Sequence, residues 1–136
     1  MKQLTVKADD SCLDQVLAFA DTFLEENDCP MKIQMQIDIA IEEIFVNIAH
    51  YAYPSGEGEA VIGIEADTEA KCFKITFEDS GIPYDPLKKE DPDITLSADD
   101  RPIGGLGIFM VKKSMDDMLY ERRNGQNILT IKKSIN

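Results

Sequence analysis

The sequence predicts an α+β domain, a two-layer α/β sandwich in which helices cover one face of a mainly antiparallel sheet. Three observations lead to this prediction. The periodic segments follow the order β-α-α-β-β-loop-α-β-β, and short turns between successive strands favour antiparallel hairpins. The chain has 136 residues, the size of one compact domain, and contains neither an internal repeat nor an interdomain linker. We therefore expect a single domain over residues 1–136.

The first strand and the first two helices can be located from the spacing of apolar residues. Residues 3–8 alternate apolar and polar side chains like a short strand, and Asp10 or Ser11 then offers an N-cap for a helix to about Glu26. A second helix is predicted over residues 31–52. Its main apolar stripe consists of Ile33, Ile37, Ile41, Ile44, Ile48 and Ala52.

The second helix also carries apolar residues away from this stripe, at Met35, Ile39 and Val46. A second apolar face predicts a second packing partner. We expect the first helix to cover it, and a dimer or partner surface is the alternative.

Two hairpins account for the remaining strands. Residues 59–66 and 71–79 predict strands joined by a turn near Asp67 and Thr68. The last two strands, over residues 117–123 and 126–133, flank Asn124-Gly125, a strong signal for a tight hairpin turn.

Residues 80–103 have no clear periodicity and are rich in proline and acidic side chains. An irregular run of this length is unusual inside a compact domain, so we predict a functional lid. A short helix follows the lid.

The charge balance bears on the class of ligand. The chain has 14 basic and 26 acidic residues, a formal net charge of -12, which argues against direct nucleic-acid binding. A bound polyanion would need backbone N–H groups, a helix N-terminus or a bridging cation. No apolar stretch approaches the roughly 18 residues of a membrane span, and the three cysteines lack metal-ligand spacing. We expect a cytoplasmic protein that does not contact membranes.

Glu43 and Asn47 form the first motif with chemical potential. They lie four residues apart on the second helix and project from the same side, on the flank of the isoleucine stripe, whereas Glu42 points toward the other flank. An Asn oxygen can ligate Mg²⁺, and a neighbouring carboxylate can orient or deprotonate an attacking hydroxyl, so the pair suits phosphoryl transfer. The alternative is a pair of boundary residues that face water.

Asp79 ends a predicted strand and is followed two residues later by Gly81. This arrangement can place an acceptor carboxylate at the floor of a pocket while the backbone turns away tightly. Such a carboxylate could accept a hydrogen bond from the exocyclic amino group of adenine. The alternative is an ordinary turn aspartate.

Three glycines mark the start of the third helix, in the segment Gly104-Gly105-Leu106-Gly107-Ile108. They let the backbone approach a ligand closely, and the free N–H groups of a helix N-terminus favour phosphate. This is not a P-loop, because no GK[ST] follows. A flexible hinge is the alternative.

The order of these three motifs resembles the N, G1 and G2 boxes of the GHKL ATPases, the superfamily of gyrase, Hsp90, histidine kinases and MutL. The resemblance extends from about residue 33 to residue 133. Within the superfamily, IAIEEIFVNIAHYAYP, FEDSGIPYDPL and GGLGIFMVKKSMD are most similar to the anti-sigma factor serine kinases of bacterial stress and sporulation switches. The resemblance implies the Bergerat fold of histidine kinase-like ATPase domains.

The resemblance also implies ATP and Mg²⁺ as cofactors and gives the motifs their roles. Asn47 would ligate Mg²⁺, Glu43 would be the general base, and Asp79 would anchor the adenine with Gly81 beside the base. The cofactor-binding residues at the phosphates would be Gly105, Leu106 and Gly107.

At other positions the transfer from the family leaves alternatives. Many relatives carry Thr near the adenine on the last strand pair, where this chain offers Asn127 or Thr130; we count Thr130 as cofactor-binding and keep Asn127 open. A lid arginine near the γ-phosphate has no secure counterpart, although Arg101 lies close to the glycines. For His50, the sole histidine, we expect a helix-packing or capping role rather than catalysis.

In function, the resemblance implies a protein serine/threonine kinase that phosphorylates a serine on an anti-sigma factor antagonist of the STAS fold. A sigma factor would be its other partner, and a homodimer is an open alternative. A non-catalytic, ATP-responsive binding module is the second reading. The ATPase half of a histidine kinase ranks last, because the sole histidine is followed by Tyr51 rather than an acidic residue.

Overall fold

A computed structural model describes residues 1–88 and 105–135. The regular elements in chain order are β1 (Lys2–Lys7), α1 (Leu13–Glu26), α2 (Met31–Asn47), β2 (Glu59–Asp67), β3 (Cys72–Asp79), α3 (Gly105–Ser114), β4 (Asp117–Arg123) and β5 (Gln126–Ser134). Short 3-10 turns occupy Asp10–Cys12 and Pro86–Lys88. The part of the predicted lid from 89 to 103 lies outside the described residues.

The five strands form one antiparallel sheet in the order β1-β2-β3-β5-β4. Side chains alternate across a strand, and only one face of this sheet is buried. The buried face is formed by Ala60, Ile62, Ile64, Phe73, Ile75, Phe77, Leu129 and Ile131. The predicted two-layer α+β fold with an antiparallel sheet is confirmed.

Helix α2 supplies much of the opposing layer. Ile37, Ile41 and Ile44 of the predicted stripe are buried, together with Phe45, and they pack against the sheet residues in one core. Phe23 of α1 meets Phe73 of β3 edge to face, with ring centroids 6.4 Å apart, so α1 extends the same layer.

The end of α2 differs from the prediction of a regular helix to residue 52. After Asn47 the chain widens into a π-helical turn over Ile48–Ala52. Such turns are rare and occur often at functional sites. The last residue of this turn contacts the segment after β3: the Ala52 carbonyl accepts a hydrogen bond of 2.9 Å from the Ile82 N–H.

The predicted N-cap of α1 at Asp10 or Ser11 is wrong: the helix follows Cys12, which makes no side-chain cap, and the capping side chain in this region is Asp9. The Asp9 carboxylate accepts a hydrogen bond of 3.3 Å from the Ser11 N–H and caps the short turn that precedes the helix. In the β4-β5 hairpin the prediction is confirmed, since Asn124 and Gly125 both have positive φ, 54° and 77°.

We expected α1 to cover the second apolar face of α2, but this prediction is wrong at Met35 and Ile39. Their side chains are 57% and 54% exposed, and Met31 one turn earlier is 68% exposed. Val46 is half-buried. Among the described helices, none is long and apolar enough to cross a membrane.

Candidate functional site

A pocket of about 460 Å³, including the solvent at its mouth, opens between the end of α2 and the buried face of the sheet. Its walls are mostly apolar, and its few polar groups come from separate elements, which is the usual design of a small-molecule site. The lining residues are Ile44, Asn47, Ile48, Tyr51, Ala52, Phe77, Asp79, Tyr84, Pro86, Ile108, Tyr120, Asn127 and Leu129. The described parts of all three motifs thus meet at this pocket or beside it.

Asp79 lies at the floor of the pocket. It is the last residue of β3 and only 6% exposed. Its Oδ1 accepts hydrogen bonds of 2.9 Å from the Gly81 N–H and from Asn127 Nδ2. Within the described part of the chain, Oδ2 receives no hydrogen bond, so this oxygen remains an acceptor for a ligand.

Asn127 sits opposite Asp79 in the β3-β5 register and is 5% exposed. Its Nδ2 donates to Asp79 Oδ1 and, at 2.8 Å, to the Ile82 carbonyl. Its Oδ1 accepts from the Tyr84 N–H at 3.3 Å and from the Tyr120 hydroxyl. The carboxamide therefore uses both donors and both lone pairs.

The segment after β3 is held by its backbone. A Cβ added to Gly81 would collide with the Ala52 carbonyl group, so this close approach admits only glycine. Arg122 of β4 donates a hydrogen bond of 2.8 Å to the Gly81 carbonyl. The Tyr53 hydroxyl accepts from the Ser80 N–H at 2.8 Å and donates to the Glu59 carbonyl at 2.6 Å.

Asn47 and Glu43 lie on the last turns of α2, Asn47 in the pocket wall and Glu43 beside it. Asn47, the last residue of α2, lines the pocket, while Glu43 one turn earlier is half-buried and Glu42 is exposed. The Glu43 carboxylate lies against Gly107 of α3: a Cβ on Gly107 would collide with Oε2 and lie 2.8 Å from Cδ. The candidate base thus touches the glycine-rich segment.

The glycine-rich segment is described from Gly105, the first residue of α3. Gly104, Arg101 and most of the predicted lid lie outside the described residues. In the described part, the Glu43 carboxylate occupies the space that a side chain on Gly107 would fill, so a substitution there would displace the carboxylate.

Thr130 requires a correction. It pairs with Thr76 and, three positions from Asn127, lies on the opposite face of the sheet, since alternate residues of a strand face opposite sides. The pocket is lined by Asn127 and Leu129 instead. Of the two open alternatives, Asn127 is the one at the pocket.

His50 is outside the pocket. Its Nε2 lies 2.7 Å from Asp10 Oδ2, and both side chains are exposed. The contact joins the turn after α2 to the turn before α1, in line with the expected structural role.

Three residues at the site, Tyr53, Tyr120 and Arg122, were not predicted from the sequence. Each acts on the segment after β3, directly or through Asn127, by a side-chain hydrogen bond. Tyr120 and Arg122 come within reach of this segment only because β5 of the predicted β4-β5 hairpin also pairs with β3, and local patterns do not reveal that pairing.

The chain is similar in sequence to proteins of known activity. The chain is 27% identical over 100 residues to the serine/threonine-protein kinase BtrW of Bordetella bronchiseptica, covering 74% of this chain and 70% of that protein. It is 31% identical over 100 residues to the serine-protein kinase RsbW of Bacillus cereus, covering 69% of this chain and 60% of that protein.

In fold, the chain is similar to the RsbU and RsbW domains of a Mycobacterium tuberculosis protein, with a TM-score of 0.63 at 14% identity, covering 98% of this chain and 32% of that one. The model of the histidine kinase-like ATPase domain matches residues 6–133. The chain therefore belongs to the histidine kinase-like ATPase domain family.

Proposed function

We propose that this chain binds Mg-ATP in the pocket and transfers the γ-phosphoryl group to a serine of a STAS-fold anti-sigma factor antagonist. One observation carries the proposal: Asp79, Asn47 and the Glu43–Gly107 contact, from three separate motifs, come together around one pocket. The relatives named as serine kinases support the same chemistry.

At the base end, the donor set fits adenine. Asp79 offers Oδ2 as an acceptor for the 6-amino group, and apolar side chains such as Phe77 and Leu129 can enclose the ring. A buried carboxylate is a costly acceptor unless it is hydrogen-bonded, and the two N–H groups on Oδ1 meet this requirement.

At the phosphate end, the residues fit a magnesium-bound triphosphate. The Asn47 side-chain oxygen is a ligand type that Mg²⁺ accepts, and the first turn of α3 presents backbone N–H groups that favour phosphate. The cation would neutralise charge on the β- and γ-phosphates during transfer. In a chain of net charge -12, these fixed donors would hold an anion that the overall field repels.

In the transfer step, Glu43 accepts the proton of the substrate serine hydroxyl. The serine oxygen bonds to the γ-phosphorus, the bond from that phosphorus to the β,γ-bridging oxygen breaks, and ADP leaves with the bond's electron pair. The products are phosphoserine, ADP and a proton held at first by Glu43. Half-burial next to Gly107 restricts the carboxylate to one region of the site.

For partners, we propose a sigma factor in addition to the STAS-fold antagonist, in the cytoplasm, with a homodimer as one assembly. Phosphorylation adds about -1.5 to -2 charges to the antagonist. An acidic kinase would repel the modified product and release it, leaving the chain free to hold the sigma factor.

The test combines partner capture with phosphoryl transfer. Pulldown from native cytosol with and without Mg-ATP identifies bound proteins, and labelled ATP then reports phosphoserine on them. We expect Glu43→Gln to lower the transfer rate at least ~100-fold while ATP affinity changes little. Glu42→Gln is the matched control, because this neighbouring carboxylate is exposed and should leave transfer intact.

Two results would contradict the proposal in different ways. Robust transfer by Glu43→Gln would remove Glu43 as the base. Saturable ATP binding by the wild-type chain without transfer to any captured protein would select a non-catalytic, ATP-responsive binding module instead.

A further inference from the structure

The geometry points to Asn127 as a specificity-determining residue that leaves Asp79 with a single free oxygen and thereby restricts the pocket to bases with one amino donor, such as adenine. The inference rests on the proposed nucleotide site and adds to it the residue that selects the base. Its observations are the hydrogen bonds of Asn127 and Asp79.

The orientation of the Asn127 carboxamide is fixed by its neighbours. The Tyr84 backbone N–H can only donate and therefore faces Oδ1, whereas the Ile82 backbone carbonyl can only accept and therefore faces Nδ2. The same orientation directs Nδ2 to Asp79 Oδ1 at 2.9 Å. A rotated amide would place donor against donor at one contact and acceptor against acceptor at the other.

This orientation saturates one oxygen of Asp79. Oδ1 takes N–H groups from Gly81 and Asn127, both at 2.9 Å, which uses its two lone pairs. Within the described residues, Oδ2 is the oxygen left for a ligand. Because Asp79 is only 6% exposed, a base seated over Oδ2 would leave little space for water beside it.

A carboxylate with one free oxygen distinguishes between purines. Adenine presents one exocyclic amino group and asks for one acceptor. Guanine presents two adjacent donors, N1–H and the 2-amino group, which a carboxylate binds best with both oxygens. With Oδ1 already saturated, the second guanine donor would be buried without an acceptor, and such an unpaired group carries the full cost of its lost hydration.

Tyr120 acts through Asn127 and is a positioning residue. Its hydroxyl donates to Asn127 Oδ1 from the neighbouring strand β4, where Tyr120 pairs with Leu129. Removing this hydroxyl keeps the ring and takes away one of the contacts that orient the amide. We expect Tyr120→Phe to change the preference between the two bases in the same direction as Asn127→Ala, and by a smaller factor.

The experiment measures dissociation constants for ADP and GDP, with magnesium, on the full chain and its variants by calorimetry. We expect wild type to prefer ADP, Asn127→Ala to lower the ratio of GDP to ADP dissociation constants at least tenfold, and Tyr120→Phe to lower it two- to fivefold. The ratio separates base selection from a general loss of binding, which would weaken both nucleotides alike. Leu119→Ala, next to Tyr120 and 53% exposed, is the control expected to leave the ratio unchanged.

The outcomes separate this inference from the function on which it rests. Wild type that binds neither nucleotide overturns the proposed function and the inference with it. Wild type that prefers ADP, with the same preference in Asn127→Ala and Tyr120→Phe, overturns the inference alone. Should Asn127→Ala fail to fold, Tyr120→Phe decides: a ratio within experimental error of wild type overturns the inference, and a two- to fivefold fall supports it.

Discussion

Two clusters of polar side chains lie along α2 and differ in how their carboxylates are satisfied. At the pocket floor beyond its carboxyl end, one carboxylate, Asp79, receives two N–H donors. Beside its first half, Asp21 and Glu25 of α1 share a single side-chain donor, Gln34 Nε2, at 3.1 and 3.4 Å. A third carboxyl group, Asp38, has a buried Oδ1 without a hydrogen-bond partner.

The two clusters have different electrostatic consequences. Burial, a hydrogen bond with Asp21 and the negative charges of Asp21 and Glu25 raise the pKa of Asp38 to about 8. Asp38, a partly buried carboxyl group that lacks donors, thus takes up a proton more readily than an ordinary aspartate. Asp79 differs in having two fixed N–H donors on one oxygen. Of the two clusters, the pocket floor with Asp79 is therefore the one that suits a ligand with an amino group. Substitutions in either cluster can test this difference.

The largest expected effect comes from Asp79→Asn. The new side-chain oxygen can still accept from Gly81 and Asn127, so the free energy of unfolding should change by less than about 0.5 kcal/mol. The group that replaces Oδ2 becomes a donor and meets the amino group of adenine, so we expect ADP affinity to fall ~100-fold, about 2.7 kcal/mol. Calorimetric titration and urea unfolding of the same preparation check both values.

A loss of affinity accompanied by an equal loss of stability would contradict this prediction. It would mean that Asp79 is mainly a structural residue of the pocket floor. The difference between Asp79 and the cluster of Asp21, Glu25 and Asp38 would then say nothing about ligand binding.

A smaller effect, on stability, is expected from Gly81→Ala. The floor is held by close backbone contact, and the added Cβ would collide with the Ala52 carbonyl, so we expect a loss of about 2 kcal/mol in the free energy of unfolding. Gly63→Ala is the matched control, because the nearest atom to its Cβ would be Met1 Sδ, the end of a flexible side chain, at 3.1 Å. Urea unfolding of both variants gives the difference, and equal stabilities would show that the Gly81 segment can move away without cost.

Much of the fold could be predicted from periodicity and turn chemistry. The predicted strand ends lie within one or two residues of those observed, and Asn124-Gly125 fixed the last hairpin because both residues adopt positive φ. The π-helical turn at Ile48–Ala52 could not be predicted. It is coupled to a tertiary hydrogen bond from Ile82 to Ala52, and helical spacing does not contain that contact.

Those residues of the site that belong to a local sequence motif could be predicted. Asn47 and Asp79 were singled out from local motifs and both line the pocket, although their roles remain predictions. The choice between Asn127 and Thr130 was also within reach, since Leu129 and Ile131 face the core and strand alternation turns Thr130 away. The contacts of Tyr120 and Arg122 with the pocket floor were beyond local patterns because they depend on the pairing of β5 with β3, and turn signals predict only the pairing within each hairpin.

The smallest effect is expected from Asp38→Asn, which tests the cluster of Asp21, Glu25 and Asp38. In the folded chain the pKa of Asp38 is about 8, above the roughly 3.9 of an unfolded aspartate, so folding takes up a proton between these values. This group's contribution to stability therefore falls as pH rises from about 4 to about 8. Asparagine can still donate to Asp21 and carries no charge, so it removes this dependence.

We expect Asp38→Asn to be more stable than wild type by about 1 kcal/mol at pH 8.5, a value discounted because much of the side chain remains in water. The difference should shrink as the pH is lowered and should vanish near pH 4, in urea unfolding measured at several pH values. Glu69→Gln, at an exposed turn position, controls for the loss of one negative charge from an acidic chain. A stability gain that is the same at every pH, or equal in the two variants, would show that general charge repulsion rather than the local shortage of donors governs Asp38.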